Sequence, residues 1–171
     1  KTLLLDADLR KPRQHKLYGR RKKPGLTDTV MLNVPLEQAL YCCPIENPST
    51  GPKASLDVLF AGTTPPSPVD FLNSAAFKSF LERMAAQYDC VVMDTPPVLV
   101  SADAVVLAAR ADGVVLVGRM GHTDSRALLE AKKVLAQAGA RVLGVVANEL
   151  KAPRRYGYYR YKYRYYHYHY R

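Results

Sequence analysis

Along the first 150 positions, short unbroken apolar runs alternate with longer segments whose apolar residues recur at a helical spacing. The run from Thr2 to Asp6 is three leucines closed by a carboxylate, the pattern of a strand buried on both faces. Leu56 to Phe60, Cys90 to Asp94, Gly113 to Val117 and Arg141 to Ala147 predict further strands, the second of these again ending in an acid. Asn73 or Ser74 caps a predicted helix reaching about Tyr88, with Ala76, Phe77, Phe80, Leu81 and Met84 on one stripe. Ser101 starts a helix to about Ala111, and Thr123 or Asp124 starts one to Ala138. Leu26 to Leu32, begun by Thr27 or Asp28, and Leu36 to Leu40 read as short helices. The stretch before Pro24 and Gly25, the Pro- and Ser-rich segment from Cys43 to Lys53, and Gly62 to Pro68 read as loops or turns. Strands alternating with helices predict an α/β fold: a mostly parallel sheet flanked by helices on both faces.

Composition divides the chain in two. Residues 1–150 form one predicted domain, and residues 151–171 a tail in which Tyr156, Tyr158, Tyr159, Tyr161, Tyr163, Tyr165, Tyr166, Tyr168 and Tyr170 are separated almost entirely by basic residues and histidine. The tail has too little aliphatic surface to form a core and is expected to be disordered, with accessible phenols. Of the net charge of +10, the tail's seven Lys/Arg supply most, and Arg10 to Lys23 adds eight basic residues without an acid. Such segments suit phosphates, an anionic lipid surface or the acidic face of another subunit. Cys42, Cys43 and Cys90 fit neither a disulfide framework nor a zinc spacing, and favour a reducing compartment. No run is long and apolar enough to span a membrane.

In an open parallel sheet, ligands bind beyond the carboxyl ends of the strands. Two predicted strands end there on acids, Asp6 followed by Asp8, and Asp94 followed by Thr95 and two prolines. Carboxylates on neighbouring rigid strands suit a magnesium ion whose remaining ligands are phosphate and water. A plain alternative for each is the capping of the next turn, and for Asp8 an Asx turn at the head of the basic loop.

These residues resemble a known family. An apolar run with Asp6, Asp8 and Arg10, and a second with Asp94 before Thr95, Pro96 and Pro97, are similar to the Walker A′ and Walker B motifs of bacterial tyrosine kinases of capsular and exopolysaccharide biosynthesis. Lys11 and Pro12, the segment from Pro24 to Asp28, Ala61 with Gly62, the stretch from Ala140 to Asn148 and the terminal tyrosines extend the resemblance over essentially the whole chain. It implies a P-loop-like ATPase fold and an ATP- and Mg2+-dependent transfer of phosphate to tyrosine. Asp6 and Asp94 would place the metal, and Asp8 would orient or deprotonate the phenol. Arg10 and Asn148 would lie near the nucleotide, with Asn148 reading otherwise as a turn residue. The nine tail tyrosines would be the phosphoacceptors. Implied partners are further copies in a ring, a membrane co-polymerase that activates the kinase at the inner face of the cell membrane, and a phosphotyrosine phosphatase. Nucleic acid is not among them.

The family's Gly-rich loop ending Gly-Lys-Ser/Thr is absent from the 171 residues. The expectation is therefore a C-terminal part of a kinase, inactive alone because backbone amides, lysine and hydroxyl for the phosphates are missing. The strand feeding that loop is expected inside the sheet, so its absence should leave a gap or let neighbours close up. Two other readings stand beside the kinase. One is a partitioning-type ATPase switch, which leaves the tyrosines unexplained. The other is a nonenzymatic nucleic-acid binder stacking bases on the cationic aromatic tail.

Overall fold

The computed structural model describes residues 1–45 and 54–150. The chain order is β1 (Thr2–Asp6), α1 (Gln14–Leu17), α2 (Leu26–Met31), α3 (Leu36–Ala39), β2 (Leu40–Ile45), β3 (Ala54–Leu59), α4 (Pro68–Asn73), α5 (Ala75–Gln87), β4 (Cys90–Asp94), α6 (Ala102–Ala108), β5 (Val114–Arg119), α7 (Ser125–Gln137) and β6 (Val142–Asn148). The strands form two sheets, one in the order β2-β3-β1-β4 and one of β5 with β6. Every pairing is parallel except that of edge strand β2 with β3.

Strand β1 is central in the larger sheet, hydrogen-bonded to β3 on one side and β4 on the other. That position explains its leucines: Leu3 and Leu5 are fully buried. They pack with Leu72, Phe77, Phe80 and Met84, so the predicted stripe of α5 holds at Phe77, Phe80 and Met84, with Leu81 half-buried and Ala76 exposed. Ser74 starts α5 by accepting the amide of Phe77 at 3.1 Å, Ser101 starts α6, and Asp124 starts α7, as the capping signals predict.

Four local expectations are corrected. Residues 43–45 are strand rather than loop, because β2 pairs along its length with β3 and Tyr41 stacks on Phe60. Pro44 is tolerated there because an edge strand has one unbonded side. Within the basic loop, Gln14–Leu17 winds one helical turn whose amides at Lys16 and Leu17 both donate to the Arg13 carbonyl. Pro68, expected to end a turn, instead opens α4 behind an N-cap at Ser67, since a proline in the first turn gives up no needed N–H. Finally, α2 starts from Gly25 rather than from Thr27 or Asp28. A side chain at Gly25 would lie 2.3 Å from the Phe60 carbonyl, so only glycine allows the two segments to approach.

Of the two outcomes expected for the ladder, a gap or a closing-up, the strands show the gap, as a break between two sheets. Consecutive strands β4 and β5 do not pair, and each has one hydrogen-bonded strand neighbour among the described residues. In the smaller sheet, Leu116 packs with Ala108, Ala131 and Leu135, joining β5, α6 and α7. Alternate β5 positions Val115 and Val117 are 52% and 64% exposed, so one face of this sheet is uncovered among the described residues. The expectation of helices on both faces is therefore met on the Leu3 and Leu5 side of the larger sheet, whereas on its other side Leu4 is only half-buried and its register partner Val92 is exposed.

Candidate active site

Strands β1 and β4 run in parallel register with Asp6 opposite Asp94, which sets both carboxylates at the same carboxyl edge, about 4.8 Å apart at the backbone. The Ala7 amide reaches across to the Asp94 carbonyl at 2.8 Å and ties the edge together. Asp6 is fully buried. Its Oδ2 accepts the backbone N–H of Gln14 at 3.3 Å, while its Oδ1 is buried without a partner. Burial, and then the negative charges of Asp94 and Asp8, push its pKa up from 3.8 to about 6, against the lowering effect of the Gln14 amide. Asp94 Oδ2 accepts from Nε2 of Gln14 at 2.6 Å.

Asp8 stands just past the strand, half-buried. Its Oδ1 accepts the amides of Arg10 at 3.2 Å and Lys11 at 2.9 Å, so the Asx turn is present and fixes one oxygen. Its Oδ2 accepts no hydrogen bond among the described residues.

Arg10 lies at the same edge but is engaged. Its Nε and Nη2 donate to the two oxygens of Asp103 at 2.6 and 3.0 Å, and Nε also lies 3.1 Å from Ser101 Oγ. Asp103 is fully buried at the start of α6. The two-pronged geometry is the strong form of the Arg–carboxylate pair, and it directs the guanidinium fork at a protein acid. Asn148 ends β6 in the other sheet, where its Oδ1 accepts the Glu149 amide at 2.9 Å. No hydrogen bond links it to the acidic edge among the described residues. The nine tail tyrosines, Tyr156 to Tyr170, lie outside the described residues.

Two side chains at the edge carry no sequence signal that marks them. Gln14 sits in a run of cations, and nothing in its spacing says that it faces both acids. Asp103, two residues after Ser101, reads as an ordinary first-turn acid of a helix, and its pairing with Arg10 depends on a contact across 93 positions. A third cluster explains two short motifs. Asp28 accepts from the amides of Gly25 at 2.9 Å and Thr63 at 3.2 Å, and Thr27 Oγ1 donates to the Thr63 carbonyl at 2.6 Å. The segments around Gly25 and Gly62 thus clamp each other beside the edge.

Among the described residues no three His, Cys, Asp or Glu side chains form a metal cluster. The donor set nevertheless fits a hard divalent cation: two strand-end carboxylates, one with a buried orphaned oxygen, can hold an ion completed by phosphate and water.

No family model matches the chain. Tyrosine-protein kinase YwqD of Bacillus subtilis is 38% identical over 161 residues, covering 93% of this chain and 65% of its own length. The crystal structure of the VpsO kinase domain superposes with a TM-score of 0.77 at 35% identity, over 88% of this chain and 71% of that one. A plasmid partition protein from Borrelia burgdorferi, 16% identical with a TM-score of 0.58, shares the fold alone. Fold and edge geometry define an α/β protein with paired acids at the carboxyl end of a parallel sheet. Within that class, the chain belongs to the bacterial tyrosine kinases. It spans 65% of the length of YwqD.

Proposed function

We propose that this chain supplies the acidic half of the active site of an ATP-dependent tyrosine autokinase that regulates capsular or exopolysaccharide synthesis and export. The observation that carries the reading is the registered pair Asp6 and Asp94, one oxygen of Asp6 buried without a partner, and Asp8 two residues further on. Asp6 and Asp94 would hold Mg2+, which supplies neutralisation of the charge on the transferring phosphoryl group. Asp8 offers its free oxygen to the phenol of a tail tyrosine, whose ordinary pKa of about 10 makes it a poor nucleophile at neutral pH. The bond from the γ-phosphorus to its bridging oxygen breaks, a bond to the phenolic oxygen forms, and the phenolic proton passes to Asp8. ADP leaves.

Arg10 acts through Asp8 in this reading. Held by Asp103, it fixes the turn whose amides grip one Asp8 oxygen. The phosphate-binding loop and the rest of the nucleotide site belong to the whole protein, with Asn148 kept as a nucleotide-side residue to test. The whole protein acts as an oligomer with a membrane activator and is reversed by a phosphotyrosine phosphatase. Each phosphotyrosine adds about 1.5 to 2 negative charges, so modification reverses the tail's attraction to the acidic edge and loosens the assembly.

The test is mass spectrometry of the whole protein purified from cells. Phosphotyrosine is expected on the tail, and Asp8→Asn should lower the transfer rate by about 10²- to 10⁴-fold with ATP affinity little changed. Full autophosphorylation by Asp8→Asn and by Asp94→Asn would remove the acidic edge from the mechanism.

A further inference from the structure

Gln14 joins the two strand-end acids through two different donors. Its backbone N–H reaches Asp6 Oδ2 at 3.3 Å and its side-chain Nε2 reaches Asp94 Oδ2 at 2.6 Å. One oxygen of each carboxylate is thereby engaged. The other Asp6 oxygen is buried and has no partner, and the other Asp94 oxygen accepts no hydrogen bond among the described residues.

We propose that Gln14 is a positioning residue for the divalent cation: it locks one oxygen of Asp6 and one of Asp94, so that the remaining oxygen of each faces a shared ion. The inference rests on the reading of this edge as a cation–phosphate site. A carboxylate turns easily about its last torsion, and a donor fixed on one oxygen sets the plane in which the other is presented. The chemistry of the residue matters as much as its place. Eight basic side chains occupy the segment from Arg10 to Lys23, yet the one aimed at the acids is a neutral amide. A lysine or arginine there would cancel the charge that attracts the ion, whereas an amide orients without neutralising. The one-turn helix α1 puts the side chain and the backbone N–H of the same residue on the same two-strand edge.

Mn2+ serves as the probe, with the fraction bound to the 171-residue chain read by the loss of its free electron paramagnetic resonance signal. Gln14→Met keeps the length and the backbone donor to Asp6 but removes the donor to Asp94. It should weaken Mn2+ binding about tenfold, leave the melting temperature in EDTA within error of wild type, and shrink the rise in melting temperature that Mn2+ produces. Asp6→Asn should abolish binding. Equal Mn2+ affinity for wild type and Gln14→Met, with Asp6→Asn still unable to bind, overturns the role of Gln14 and leaves the acidic edge standing. Absence of Asp6-dependent Mn2+ binding in wild type overturns both.

Discussion

The two sheets handle the same kind of sequence in opposite ways. On one face of β1, Leu3 and Leu5 disappear from solvent, and Asp6 at its end is fully buried. Around β5 and β6, valines of similar apolar character remain exposed, including Val117 at 64% and Val145 at 55%. The larger sheet covers its central strand with neighbours on both sides, whereas β5 has one strand neighbour among the described residues. Apolar pattern predicts that a segment is strand. Whether that strand becomes core depends on what is laid beside it.

This contrast predicts an ordered set of stability effects in the chain. The largest is expected for Arg10→Ala, which leaves the fully buried Asp103 without its guanidinium and should lower the midpoint of urea unfolding. Asp103→Ala should cost less, because the cation left behind is 48% exposed in its side chain. Equal costs would mean that burial of the acid is not what makes the pair matter. Leu5→Ala, in the centre of the larger core, should cost about 2–5 kcal/mol, against less than about 0.5 kcal/mol for Val117→Thr. Similar losses at both sites would erase the difference between the sheets.

Asp6→Asn should act in the opposite sense. The raised pKa means that folded Asp6 holds a proton more tightly than the unfolded chain, so its contribution is intact below about pH 4. That contribution is lost as pH rises toward and through 6. At pH 7 without divalent cations, Asp6→Asn is therefore expected to be more stable than wild type by about 2 kcal/mol, with the gap closing by pH 4. A wild type as stable as the variant across this range would remove the electrostatic strain assigned to the edge. The smallest effect belongs to the exposed pair of Arg119 and Glu149 at the end of the smaller sheet, where Arg119→Ala should cost about 0.5 kcal/mol and vanish in high salt.

Much of this was legible in the residues. Unbroken apolar runs ending in acids marked β1 and β4, and their adjacency followed from the resemblance and from parallel-sheet logic. Capping serines and Asp124 placed the starts of α5, α6 and α7. What stayed hidden depends on partners distant in sequence. Strand β2 carries Pro44 and two cysteines and has no alternation; pairing with β3 makes it a strand. The basic charge of residues 10–23 suggested a solvated loop, and concealed both the fork of Arg10 on Asp103 and the amide of Gln14 on Asp94. Sequence chemistry suggested a phosphate-facing Arg10, whereas its geometry serves the protein's own acid. For Asn148, the contact seen is local, its side-chain oxygen accepting the amide of the next residue.

Helix α6 meets both halves of the molecule. Its first turn grips Arg10, Leu107 enters the larger core, and Ala108 enters the smaller one. It is thus an axle shared by the two sheets, with the smaller sheet's packing on one end and, through Arg10, the turn that carries Asp8 on the other. One helix therefore ties the bare valines of the small sheet to the acidic edge by packing and a single ion pair.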